Sequence, residues 1–173
     1  EPTLCSWLSD LIATAKQAGL TTMIVSNGSK LTDKFLQDNQ RHLDWIAISV
    51  DSLNNETNTA IGRAISVKTS LYSDYYYDLA VKIKKYGFGF KINTVVNRKN
   101  FDENMSEFIR YSKPKRWKIF QVLPIVGQND QHIDDFKITD EQFQHFLNNH
   151  SNLHNLTKIV PENNSQMKGS YAM

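Results

Sequence analysis

A single cysteine, Cys5, stands in 173 residues. One thiol makes no intrachain disulfide and falls short of the roughly three or four sulfurs that a thiolate-held cluster needs, so the ligands of any such centre would come from outside this chain. No apolar run approaches the ~18 residues of a bilayer-spanning helix and no charged-then-apolar leader opens the sequence. No membrane segment is therefore expected, and a cytoplasmic location is the expectation. The net charge is only +2, with a pI near 8.6, which is too mild to argue for nucleic acid as a partner or for a polybasic anchor. There is no GxGxxG, no Walker-type phosphate loop and no GxSxG. Histidines 42, 132, 145, 150 and 154 lack metal-ligand spacing, since His145 and His150 are five apart where helical pairs use four, and they read as structural or surface groups. Internal repeats, low-complexity tracts and linkers are also missing.

What is present is enough apolar material, 40% of residues, for one sizeable core. Trp7, Leu8, Leu11, Ile12 and Ala15 recur at helical spacing, with Gly19 as a C-terminal cap. The β-branched run Thr21 to Val25 reads as a strand ending at the turn Ser26-Asn27-Gly28. A short helix capped by Thr32 leads to a strand from Trp45 to Val50. A helix lined by Tyr76, Leu79, Ala80 and Ile83, into which the tyrosines 75 to 77 pack, leads to a strand from Phe90 to Val96. A helix around Met105, Phe108 and Ile109 leads to a strand from Trp117 to Leu123. Thr139 and Gln142 form a capping box before a last helix striped by Phe143, Phe146, Leu147 and His150. Four strand–helix units before the final helix predict an α/β fold with a parallel, helix-covered sheet, and the polar stretch from Gly127 to Asp135 reads as a long functional loop.

In such folds chemistry gathers on the strand ends and on the face away from the helices. Phe90, Ile92, Thr94 and Val96 alternate with Lys91 and Asn93, and Arg116 shares a face with Lys118. If the two strands pair in parallel, the four polar side chains converge. Three buried cations require an anionic partner, and a triphosphate matches their charge. The alternative is a set of strand-end cations facing water or acids elsewhere in the fold. Ser49 and Asp51 close a strand shortly before Arg63. That arrangement suits either a carboxylate ligand or an ordinary surface Asp51–Arg63 ion pair.

Several segments together resemble the viperin family of radical S-adenosylmethionine (SAM) enzymes. They are the opening Glu1-Pro2, Ile24 to Ser29, Leu43 to Ser52, Ile61-Gly62-Arg63, Phe90 to Asn93, Arg116 to Gln121, and Val160 through Tyr171. The resemblance implies a partial TIM-like (βα)6 radical SAM barrel, of which this chain holds roughly the last four units and the start of the C-terminal segment. Glu1-Pro2 would be the end of the family's GGEP motif, so the chain reads as a fragment lacking the CxxxCxxC loop of the [4Fe–4S] cluster. Carried over by position, Glu1, Asn27, Ser49 and Arg63 would bind SAM. Lys91, Asn93, Arg116 and Lys118 would bind the nucleotide, and Tyr171 would cover it and assist catalysis.

The implied reaction converts CTP, UTP or GTP to the 3′-deoxy-3′,4′-didehydro analogue through a 5′-deoxyadenosyl radical, as an antiviral defence drawing on an external electron donor. Residues 64 to 74 match the family poorly. A radical SAM GTP cyclase of molybdenum-cofactor type is a second reading, and a non-catalytic nucleotide-binding module a third.

Overall fold

The structure, a computed structural model, describes residues 1–66, 69–70, 73–125, 127 and 132–167. In chain order its first elements are α1 (Leu8–Gln17), β1 (Met23–Ser26), α2 (Asp33–Asn39), β2 (Trp45–Ser49), α3 (Asn55–Ala60), β3 (Ala64–Ser66) and β4 (Thr69–Ser70). There follow α4 (Ser73–Lys85), β5 (Gly89–Val96), α5 (Ser106–Ser112), β6 (Arg116–Gln121), α6 (Asp140–Asn149), β7 (Lys158–Glu162) and α7 (Asn164–Met167).

Local chemistry accounts for the element ends. After α1, Gly19 at φ +80° donates to Lys16 O at 3.0 Å while the Leu20 N–H donates to Ala15 O at 3.1 Å. This double closure uses carbonyls the helix would otherwise leave unpaired, and its positive φ suits glycine. Thr32 accepts the Phe35 N–H at the start of α2, and the Thr139–Gln142 capping box opens α6 as its sequence predicts.

Five strands form one sheet in the order β1-β2-β5-β6-β7, and every pairing is parallel. Side-chain alternation then sorts the residues onto two faces. Ile24, Ile46, Ile48, Phe90, Ile92, Trp117 and Ile119 face the helices and are buried with Leu8, Leu36, Leu79, Phe108 and Phe146. Each fully buried side chain of this size contributes about 1.5–3 kcal/mol, so this face carries the fold. Two buried polar groups of this layer, Thr94 and His150, are paired. The Thr94 hydroxyl donates to Val50 O at 2.7 Å and accepts the Trp117 indole N–H at 2.9 Å. His150, fully buried, accepts the Met105 N–H at Nε2 (2.9 Å) and has Nδ1 2.7 Å from Phe146 O, so it joins α5 to α6.

The structure departs from the sequence reading in several places. β7 is a fifth parallel strand whose Pro161 sits where proline is tolerated, on an edge of the sheet among the described residues. α3 and the antiparallel pair β3–β4 fill the region between β2 and α4. On α1 only Leu8 and Ile12 of the expected stripe are buried, and Trp7 and Leu11 are exposed. Of the expected loop from Gly127 to Asp135, Gly127 and residues 132–135 are described and the remainder lies outside the described residues.

Candidate active site

The parallel register sets Lys91 opposite Arg116 and Asn93 opposite Lys118, on the face turned away from the helices. The four polar strand residues therefore converge as the two-residue period predicts, with Ile92 and Ile119 packed into the core behind them. Lys91 is only 8% exposed. Burial lowers its pKa from the ordinary lysine value, the neighbouring Lys118 and Arg116 charges lower it further, and Glu162 opposes them. Lys118 Nζ lies 2.6 Å from Glu162 Oε1 on β7 and 4.8 Å from the centre of the Phe120 ring. Arg116 is exposed at the start of β6, and with Lys91 and Trp45 it borders a cavity of about 290 Å³ near the N-terminal ends of the strands. The Asn93 side-chain oxygen is buried and has no hydrogen-bond donor among the described residues. Among the described residues, three cations and one carboxylate leave this face net positive, with an unsatisfied acceptor beside them.

A second group lies at the C-terminal strand ends. Glu1 accepts from the Ser26 hydroxyl at 2.7 Å through Oε1 and from the Asn27 N–H at 2.8 Å through Oε2. Burial pushes its carboxyl pKa up, but the bonds from Thr3, Ser26 and Asn27 outweigh burial and leave it lowered. Asn27 turns its own side chain to the Ser29 N–H at 2.9 Å, closing the turn after β1. Gly28 completes that turn at φ +89°, where a Cβ would sit 2.5 Å from Leu79 Cδ2, and the Tyr75 hydroxyl donates to its carbonyl. Ser49, half-buried on the open face, pairs in register with Asn93, so it connects the two groups.

The Asp51–Arg63 pair forms, with Nε 2.6 Å from Oδ2, but it differs from a surface ion pair in that the Asp51 side chain is only 6% exposed against 31% for Arg63. Both residues line a cavity of about 460 Å³ with Val95, Asn97 and His132. His132 and Glu162 are site-lining residues that sequence reasoning missed. Glu162 was detectable only by recognising β7, whose alternation places it on the face of Lys118, and His132 has no sequence signal. Tyr171 lies outside the described residues. Among the described residues no group of His, Cys, Asp or Glu could hold a metal ion, and no helix there is long and apolar enough to cross a membrane.

Fold and site together define an α/β protein with a one-sided helical layer, a cationic open sheet face and polar strand ends. No family model matches the chain. It is 59% identical over its whole length to an S-adenosylmethionine-dependent nucleotide dehydratase of Lacinutrix mariniflava, covering 36% of that protein. It is 46% identical, again over its whole length, to one of Flammeovirga pacifica, covering 58% of it. Among solved structures, a domain of pyruvate-formate lyase-activating enzyme from Bacteroides vulgatus superposes with a TM-score of 0.68 over 94% of both chains at 15% identity, a likeness of fold alone. By sequence the chain belongs to the S-adenosylmethionine-dependent nucleotide dehydratases, the viperin family its motifs resemble, and it spans between about a third and three fifths of the length of these two relatives.

Proposed function

We propose that this chain forms the nucleotide-binding face and part of the SAM site of a radical SAM enzyme that converts a ribonucleoside triphosphate to its 3′-deoxy-3′,4′-didehydro analogue. The observation that carries the reading is the convergence of Lys91, Arg116 and Lys118 around Asn93 on the open face. A triphosphate matches that charge, and charge-assisted contacts to its oxygens would offset the cost of holding Lys91 out of water. The orphaned Asn93 oxygen suits a sugar hydroxyl as donor. Tyr171 belongs to this reading as a group that covers the nucleotide and assists the reaction.

For SAM, the donor set fits an amino-acid group. Glu1, kept ionised by four donor groups from Thr3, Ser26 and Asn27, would take the ammonium, and Arg63 the carboxylate, with Asn27 and Ser49 completing the set. When bound, SAM supplies the hydrogen-abstracting chemistry of this class. The protein's part is to hold the ribose against it and to exclude competing reactions. A [4Fe–4S] cluster does not fit the residues present, since Cys5 is the one cysteine of the chain. Its ligands, and the contact with an external electron donor, would lie elsewhere.

The test is anaerobic incubation of the full-length, cluster-reconstituted protein with SAM and each of CTP, UTP and GTP, followed by mass analysis. Loss of water from one nucleotide together with SAM cleavage supports the reading. SAM cleavage with every nucleotide returned intact would sink it.

A further inference from the structure

Asp51 is a charged group that the reading above leaves unused, and its three oxygens are all committed. Its Oδ1 accepts the Val95 N–H at 2.8 Å and its Oδ2 accepts Arg63 Nε at 2.6 Å. Its main-chain oxygen accepts Asn100 Nδ2 at 2.7 Å, and Asn100, itself fully buried, accepts the Asn97 N–H at 2.7 Å and donates to Val95 O at 3.0 Å. One side of the carboxylate is thus anchored to the backbone of β5, and the other is turned to the guanidinium.

A guanidinium can meet a carboxylate side-on, through Nε and one terminal nitrogen, or end-on, through both terminal nitrogens. With Nε bound to Asp51, the side-on edge is spent. The two terminal nitrogens make no hydrogen bond among the described residues, and Arg63 lines the 460 Å³ cavity. The backbone is held as well, because the Arg63 N–H donates to Asn58 O at 2.8 Å. A free arginine side chain samples many rotamers. Here the bond to Asp51 restricts that freedom before any ligand arrives.

We propose that Asp51 is a positioning residue: it fixes Arg63 by its inner edge so that the end-on edge receives the carboxylate of an amino-acid moiety such as that of SAM. This rests on the reading of Arg63 given above and adds the device that aims it. If the pair only ties the loop before β3 to the sheet, every ligand of the cavity would suffer alike when it is broken.

The experiment uses the full-length protein and two probes, S-adenosylhomocysteine and 5′-methylthioadenosine, which share the adenosine but differ in the amino-acid carboxylate. Calorimetric titration of Asp51→Asn is expected to show S-adenosylhomocysteine weakened roughly tenfold and 5′-methylthioadenosine changed less than about twofold. Arg63→Ala should weaken the first probe about ten- to a hundredfold and spare the second. The double variant should bind no worse than Arg63→Ala, because both changes remove one interaction. If Asp51→Asn does not fold, Arg63→Lys serves instead. It keeps the charge without the planar edge and should lose the first probe as Asp51→Asn would. Discrimination in Arg63→Ala without any in Asp51→Asn or Arg63→Lys overturns the aiming role and leaves Arg63 as a carboxylate ligand. Equal loss of both probes in Arg63→Ala overturns the two together.

Discussion

Lys91 stands nearly sealed against the sheet between two other cations, and its depressed pKa is a statement about stability. The folded protein binds fewer protons at this site than the unfolded chain, whose lysine titrates near 10.5. The cost is therefore present below the folded pKa and fades as pH rises toward the unfolded value. Lys91→Met is expected to raise stability by about 1 kcal/mol at neutral pH, read as a higher urea midpoint at unchanged m, while weakening triphosphate binding. A lower midpoint would mean that the ammonium gains more from its surroundings than burial takes away. Lys118→Ala should cost about 1.5–3 kcal/mol of triphosphate affinity, or one to two decades, and leave S-adenosylhomocysteine binding intact. Equal losses for both ligands would refute the division into two sites. These strand cations are legible in the sequence because period-two alternation exposes any polar residue set among Ile, Phe and Trp. Glu162 is not, since a five-residue strand containing proline gives too short a pattern to recognise.

Among the elements, the turn after β1 has little room for change. Gly28→Ala would combine an unfavourable positive φ with a Cβ lodged against Leu79, so a loss of about 2 kcal/mol and a lower Tm are expected. An unchanged melting curve would show that α4 yields easily there. The α5–α6 junction makes a pH-dependent prediction. Burial lowers the His150 pKa below its usual 6.5, outweighing the opposing bond to Phe146 O, so the neutral ring is the folded form. Its contribution is present above the unfolded pKa and is lost as pH falls through the folded one. The native Tm should accordingly drop between about pH 7 and pH 5, and His150→Leu, less stable at pH 7, should show a shallower fall. A parallel decline in both proteins would assign the acid sensitivity to other groups. Helices α1, α2, α4, α5 and α6 and four of the five strands of the main sheet are legible because their caps and periodicities are local. The α3 to β4 region is not, because its short elements lack a repeated apolar spacing.

At the scale of the molecule, helices cover one face of the sheet and leave the other to polar chemistry. The chain by itself, with one thiol, is expected to release no 5′-deoxyadenosine from SAM under anaerobic reduction. Detection of that product by mass spectrometry would overturn the cysteine argument. The two faces are also coupled through register. Sliding β6 by two residues along β5 would carry the cations roughly 6–7 Å out of opposition. The same slide would strand the Trp117 indole N–H, now received by Thr94, in a dry interior at a cost of about 1–3 kcal/mol. A single donor on the reverse side therefore helps to hold the register of charges that point the opposite way, and a substitution at Thr94 would be felt at the proposed anion site without touching it.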